Sequence, residues 1–137
     1  MGKDVQISIG DPEKLAKTIQ SYIEDFGRDV TEALTEAMDE VGKEAVKRLK
    51  NTSPKKKRKG GRYSKGWRYQ RDKKSRLLIE ARVYNATDGA LTHLLENGHP
   101  VIRNGVVVGR VNPQRHIEPV NTWVQEQIVK TFQNKLK

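Results

Sequence analysis

The chain has 137 residues, a formal net charge of +10 and no cysteine. A chain of this length typically forms one domain, so we expect a single modest core over residues 1–137. The lack of cysteine excludes disulfides, thiolate catalysis, cysteine zinc sites and iron–sulfur clusters. No apolar run approaches the ~20 residues of a membrane helix, and no signal-peptide core is visible. We therefore expect a soluble protein that is made in a cytoplasm and has no membrane partner.

The positive charge is concentrated in one segment. Residues 43–76 include 16 basic and 2 acidic residues, a net charge of +14, and the rest of the chain carries −4. Residues 11–40 contain 9 acidic and 3 basic residues. This asymmetry indicates either an anionic partner or head-to-tail association between unlike patches of neighbouring copies.

A short strand and a long helix are the first predicted elements. Alternating apolar residues over positions 5–9 are typical of a strand. Asp11-Pro12 then supplies an N-cap and a first helical proline, and an amphipathic stripe continues to about Lys50. Unbroken, this helix would be about 60 Å long, more than so small a domain needs. We therefore predict that part of the stripe contacts another subunit, through Phe26, Val30, Leu34 and Met38.

A flexible basic loop is predicted at about residues 52–64, because Ser53-Pro54 ends the helix and five consecutive cations and two glycines follow. Like charges and glycine both favour a mobile chain. The loop is either merely solvated or a contact for DNA or another anionic partner. The residues that would make the contact are Lys55, Lys56, Lys57, Arg58, Lys59, Arg62 and Lys65.

A first β-hairpin is predicted from strands at residues 64–70 and 75–84 around a polar turn at 71–74. Its first strand carries Trp67 and Tyr69 among the cations. Cations neutralise phosphates and aromatic rings can stack on bases, so a stand-alone nucleic-acid-binding module is the alternative function. For these two aromatic residues, packing in the core is favoured over stacking.

The remaining elements complete an α+β pattern. Asp88 opens a short helix that Gly98 closes, and Asn104-Gly105 predicts a second hairpin over residues 101–111. The last predicted helix covers residues 120–136. Together the elements predict a small antiparallel β-sheet packed against a long N-terminal amphipathic helix and a C-terminal helix.

No arrangement of residues supports catalysis. His93, His99 and His116 have no second ligand at a metal-binding spacing, and the expected roles of all three are structural. We therefore expect no enzyme, no catalytic residue, and no cofactor or metal.

Four short motifs follow one another along the chain: Ser53-Pro54, Gly61-Arg62-Tyr63-Ser64, Leu94-Leu95-Glu96-Asn97-Gly98 and Gln114-Arg115-His116-Ile117-Glu118-Pro119. In kind and order they resemble the small neck and tail-completion proteins of long-tailed bacteriophages, over roughly residues 44–123. The resemblance implies a structural virion protein that forms a six-fold homo-oligomeric ring at the head–tail junction after synthesis in the host cytoplasm. Its implied partners are further copies of itself, the connector or stopper and the tail-tube proteins, with non-specific contact to passing DNA.

Overall fold

The computed structural model describes residues 4–10, 17, 30–55, 61–73 and 79–136. Its helices are α1 (Val30–Thr52), α2 (Arg62–Lys65), α3 (Thr92–Asn97, after a 3₁₀ turn at Gly89–Leu91) and α4 (Ile117–Lys135). Its strands are β1 (Ile7–Ser8), β2 (Trp67–Lys73), β3 (Ile79–Asn85), β4 (His99–Arg103) and β5 (Val106–Val111). This is the α+β class that the sequence predicted. Among the described helices, none combines the length and apolar character needed to cross a membrane.

Two antiparallel sheets are present in the described residues. In the three-stranded sheet β3 is central, with β1 on one side and β2 on the other. Ile7 lies opposite Val83 in this sheet, and both are almost fully buried. The second sheet is the hairpin of β4 and β5 alone.

Helices α1 and α4 pack antiparallel, and α1 also packs against the three-stranded sheet. Glu40 binds Lys135 across the helix pair at 3.1 Å, and the Arg48 guanidinium lies 4.0 Å from the centre of the Trp123 ring. The inner stripe of each helix fills the core, where complete burial of a large aliphatic or aromatic side chain stabilises the fold by about 1.5–3 kcal/mol. Fully buried members of this core include Met38, Leu49, Val124, Ile128 and Phe132.

A close approach between α1 and β2 depends on a glycine. A Cβ atom at Gly42 would overlap the ring of Tyr69. The ring therefore lies directly on the helix backbone, and its hydroxyl donates to the Asp39 carboxylate at 2.8 Å. Arg71 also binds Asp39 at 2.8 Å, which fixes β2 along the helix.

The boundaries of the first hairpin differ from the prediction. Residues 62–65 form a helical turn, which follows Gly61 at φ 76°, and the strand continues through the predicted turn to Lys73. The strand extends because Arg71 is held by Asp39 on α1 and lies opposite Ala81 in the ladder. Local polarity suggested a turn here, but a long-range ion pair determines the structure.

The second hairpin is confirmed. Asn104 and Gly105 have φ of 51° and 76°, which matches the type I′ turn that this dipeptide predicts. Helix α4, however, begins at Ile117 rather than at residue 120. The reason is a cap from a distant carboxylate, described below.

Candidate functional site

The cationic segment is only partly described. Lys56, Lys57, Arg58 and Lys59 lie outside the described residues, as does Phe26 of the predicted helix face. Lys55 and Lys65 are exposed on the two sides of that gap. Arg62 is anchored to the loop after β3, since its guanidinium lies 3.4 Å from Asp88 and donates to the carbonyl of Thr87 at 3.1 Å. Lys55, Arg62 and Lys65 are thus the described cations of the predicted contact; all three are exposed, and Arg62 is already bound to Asp88.

Three aromatic residues of the basic segment pack within the fold. Trp67 is fully buried, and its indole N–H donates to the Ser53 hydroxyl at 2.8 Å. Tyr63 is buried against it, with the two ring centroids 5.7 Å apart. Tyr69 is half-buried on Gly42; burial, followed by its hydrogen bond to Asp39, raises the pKa of its hydroxyl. The preference for core packing of Trp67 is confirmed, and these three rings are not arranged as a stacking surface for bases.

The predicted subunit-contact face is located in the chain's own core. Val30, Leu34 and Met38 are each at most 5 % exposed and belong to the core cluster. The described part of this stripe has no free surface for a neighbour, because the same chain already covers it. These three residues therefore pack within their own chain.

A buried carboxylate caps α4. Glu96 is in α3, and one of its oxygens accepts the backbone N–H groups of His116 and Ile117 at 2.8 and 2.9 Å. The other oxygen accepts the N–H of Glu118 at 2.8 Å. These donors belong to the first turn of the helix, where no intrahelical acceptor exists. A negative charge at this end is also favoured by the helix dipole.

The electrostatics of Glu96 follow from this geometry. Burial opposes ionisation and would raise the pKa of the carboxyl group. The three N–H donors and the adjacent His116 outweigh burial, so the pKa lies below its usual range. The carboxylate is therefore ionised in the folded protein at neutral pH.

His116 joins this cap to α2. Its Nδ1 lies 2.7 Å from the carbonyl oxygen of Gln114 and 3.1 Å from Glu96, and both of these are acceptors. Nδ1 therefore carries a hydrogen, and Nε2 lies 2.6 Å from the Tyr63 hydroxyl, from which it accepts in the neutral ring and to which it donates in the protonated ring. Burial, followed by the negative charge of Glu96, raises the pKa of Tyr63 and keeps this donor protonated.

We call Tyr63, His116 and Glu96 the buried relay. Side chains of these three types can exchange protons with one another. No sequence pattern indicated that these three residues would be in contact. All three residues are at most 5 % exposed, so a substrate has no access to them. With Ser53 on Trp67, the relay brings together side chains from all four short motifs. In the structure these motif residues position helices.

The outer face of α1 is charged and changes sign along the helix. Its exposed charged residues are Glu32, Glu36 and Glu40 in the first half, then Lys43, Lys47, Arg48 and Lys50 in the second. The charge asymmetry of the sequence thus appears on this helix as an acidic surface followed by a basic one.

An exposed apolar surface lies on the β4–β5 hairpin. Four aliphatic residues are 57–63 % exposed: Ile102, Val106, Val107 and Val108. They are the large hydrophobic residues that are exposed in the described part of the chain. In the sequence this surface is visible as three consecutive valines with no polar residue between them. Such a run is typical of a strand that is covered on both faces.

The described surface thus combines a charged helix face with an exposed apolar hairpin, around buried polar groups that hold the fold together. Residues 13–98 match the HK97-gp10-like family, whose description reads "Bacteriophage HK97-gp10, putative tail-component". The match covers more than half of the chain, and the chain belongs to this family. No curated protein and no solved structure matched the chain. The family match supports a structural role related to the phage tail, and it ends at Gly98, so β4, β5 and α4 lie beyond it.

Proposed function

We propose that this protein forms a homo-oligomeric ring at the head–tail junction of a long-tailed bacteriophage and joins the tail to the DNA-filled head. Membership of a tail-component family is the observation that carries the proposal. The order of the four motifs favours, among tail-related roles, one in the neck or in tail completion. In this role the protein has no catalytic task.

The charges on α1 support a cyclic assembly. Acidic residues occupy the first half of its outer face and basic residues the second half. In a heterologous contact one patch of a subunit meets a different patch of its neighbour, and such contacts close into rings when the rotation allows. Complementary patches also steer the subunits into register.

The basic segment supports weak contact with DNA in the virion. Lys55 and Lys65 are exposed beside it, and such cations attract phosphates without reading sequence. A stand-alone nucleic-acid-binding module is less well supported, because Tyr63 and Trp67 are buried and Arg62 is bound to Asp88.

Complementation of a phage that lacks this gene tests the proposal. Lysates of the deletion phage should contain filled heads and finished tails that are not joined, as seen by negative-stain electron microscopy. Adding the purified protein should restore joined particles and plaque-forming units. Joined particles in the lysate without the protein, or heads that fail to fill, would contradict a joining role.

A further inference from the structure

We propose that two copies of the protein pair through the outer face of α1, antiparallel and about a two-fold axis, in a dimer that exists before the ring is assembled. The contact surface is a row of exposed charged residues, called here the charged stripe. Its members are Glu32, Glu36, Glu40, Lys43, Lys47 and Lys50. The pairing itself goes beyond the proposed function, and only its relation to the ring rests on that function.

The charged stripe runs along one side of the helix. Its residues follow one another at spacings of three or four positions, which keeps them on one side of a helix with about 3.6 residues per turn. Every member is exposed, and the buried residues of α1 occupy the opposite side. Arg48 stands apart from the stripe, because its guanidinium lies over the Trp123 ring. The charge changes sign between Glu40 and Lys43, near the middle of the helix.

Within one copy, the order of charges along the stripe is mostly unfavourable. Like charges four residues apart on a helix repel each other. The stripe contains three such pairs, namely Glu32 with Glu36, Glu36 with Glu40, and Lys43 with Lys47. The helix dipole does not account for this order, because its effect is confined to the first and last turns, whereas Glu40 and Lys43 are central. The fold of one copy therefore leaves the pattern unexplained.

The central charges of the stripe are available to a partner. Glu36, Lys43 and Lys47 form no salt bridge with another described residue. Glu40 is bound by Lys135 of α4 at 3.1 Å, but its side chain is still 59 % exposed. A carboxylate has two oxygens, so Glu40 can accept a second cation without releasing Lys135.

A second copy of the chain carries the complementary surface. In an antiparallel pair of α1 helices, a two-fold axis between positions 41 and 42 places Glu36 opposite Lys47 and Glu40 opposite Lys43. Each of these contacts occurs twice, as in any isologous interface. Parallel helices in the same register would place like charges together, which is destabilising. The order of charges therefore specifies both the partner and its direction.

The dimer is expected to be weak and sensitive to salt. Exposed ion pairs contribute little individually and are screened by salt, and the charged stripe itself contains no apolar residue. A weak dimer suits a reserve form of the protein. In the proposed ring the acidic and basic halves of the stripe meet different neighbours, so the dimer and the ring compete for one surface. Rings then form where the tail or the connector supplies further contacts.

Charge reversal on the purified protein tests the pairing by sedimentation equilibrium. The wild type should be a dimer at low salt, and its dissociation constant should rise about tenfold or more at ~0.5 M salt. Glu36→Lys/Glu40→Lys and Lys43→Glu/Lys47→Glu should each stay monomeric, because the centre of each stripe then carries one sign. An equimolar mixture of the two variants should form one-to-one dimers and nothing larger, since the central contacts are complementary again.

Two double variants of equal net charge test the register. Glu36→Lys alone places lysines face to face, and adding Lys47→Glu to the same chain should restore the dimer. Adding Lys43→Glu instead should not restore it, because position 43 does not face position 36. Glu126→Lys, on the exposed side of α4, is the matched control for a charge reversal outside the stripe and should dimerise like the wild type. Circular dichroism verifies that each variant is folded.

Equal behaviour of the two double variants would overturn the antiparallel register. Assemblies larger than dimers in the mixture would overturn the two-fold contact, because they require a head-to-tail arrangement. A wild-type protein that is monomeric at low salt would overturn the dimer, and a loss of joining in the stripe variants would then assign the stripe to a different virion protein. The joining role is measured separately by complementation. Joined particles from a protein that never dimerises would leave that role standing, and dimers of a protein that cannot join particles would do the reverse.

Discussion

The buried relay and the β4–β5 hairpin are close in sequence but opposite in character. Glu96 and Ile102 are six positions apart, yet the carboxylate is almost fully buried and the aliphatic side chain is 60 % exposed. This reverses the usual distribution of charged and apolar groups. The buried charge is explained within the chain, because three backbone donors and His116 surround it. The exposed apolar side chains have no such explanation within the described chain. The difference separates residues that build the fold from residues available for contact between proteins.

The largest effect is expected from removal of the cap. Glu96→Ala leaves three backbone N–H groups of α4 without their acceptor and removes the charge beside His116. Breaking a buried charged network of this kind costs about 3–5 kcal/mol. The thermal midpoint should fall by roughly 10 °C or more in scanning calorimetry. Glu96→Gln keeps one acceptor oxygen and should lose about half as much; equal losses would mean that a neutral acceptor contributes little and that the charge accounts for nearly all of the effect.

The same carboxylate predicts a dependence on pH. The pKa of Glu96 in the folded protein lies below its usual value of 4.5. Its contribution to stability is therefore fully present above that value and is lost as pH falls through the folded-state pKa. Urea unfolding from pH 7 to pH 3 should show a smaller acid loss in Glu96→Gln than in the wild type. Parallel curves for the two proteins would count against the cap.

A smaller effect is expected at the contact between α1 and β2. Gly42→Ala would normally favour a helix by up to about 1 kcal/mol. Here the added Cβ meets the Tyr69 ring, so we expect a destabilisation of about 1–3 kcal/mol instead. In a Tyr69→Ala background the same substitution should be neutral or stabilising. A stabilising effect in the wild-type background would contradict the close approach.

The turn of the β4–β5 hairpin should be sensitive while the rest of the fold is not. Gly105→Val places a β-branched residue at φ 76°, which costs about 1–3 kcal/mol locally. Amide hydrogen exchange should accelerate in β4 and β5 and stay unchanged in α1 and α4. Gly109→Ala is the matched control, because a Cβ there meets nothing within 4 Å. Unchanged exchange in Gly105→Val would argue against the type I′ turn.

The smallest effect concerns the exposed cations. If the protein binds duplex DNA weakly, Lys55→Gln and Lys65→Gln should each reduce the slope of log K against log salt by about 0.9. Arg62→Gln should change the slope less, because Arg62 is bound to Asp88. Fluorescence anisotropy with a labelled duplex measures this. A flat salt response of the wild type would exclude phosphate-directed contact with DNA.

Local patterns predicted the elements with local causes. Asn104-Gly105 fixed the second hairpin, and helical periodicity found α1 and α4. The sequence also indicated α3, through the glycine that follows it. Such signals lie within a few residues of one another, and they do not depend on the rest of the fold.

The remaining features depend on distant partners. Residues 63, 96 and 116 form the buried relay, although they are 20 to 53 positions apart in the sequence. No local sequence pattern predicts contacts between residues so far apart. The extension of β2 depends in the same way on Asp39, and the start of α4 depends on Glu96. The apolar stripe of α1 was correctly recognised but assigned to a neighbour, because a pattern cannot distinguish burial within a chain from burial between chains.

Helix α1 shows the same division between fold and contact, in its buried side and its charged stripe. Variable-temperature native mass spectrometry of the Lys43→Glu/Lys47→Glu variant tests this division most directly, since it reports assembly and unfolding together. We expect a variant that unfolds within about 5 °C of the wild type but does not form the wild-type dimer. A variant that keeps the oligomer, or that loses its fold together with it, would contradict this division.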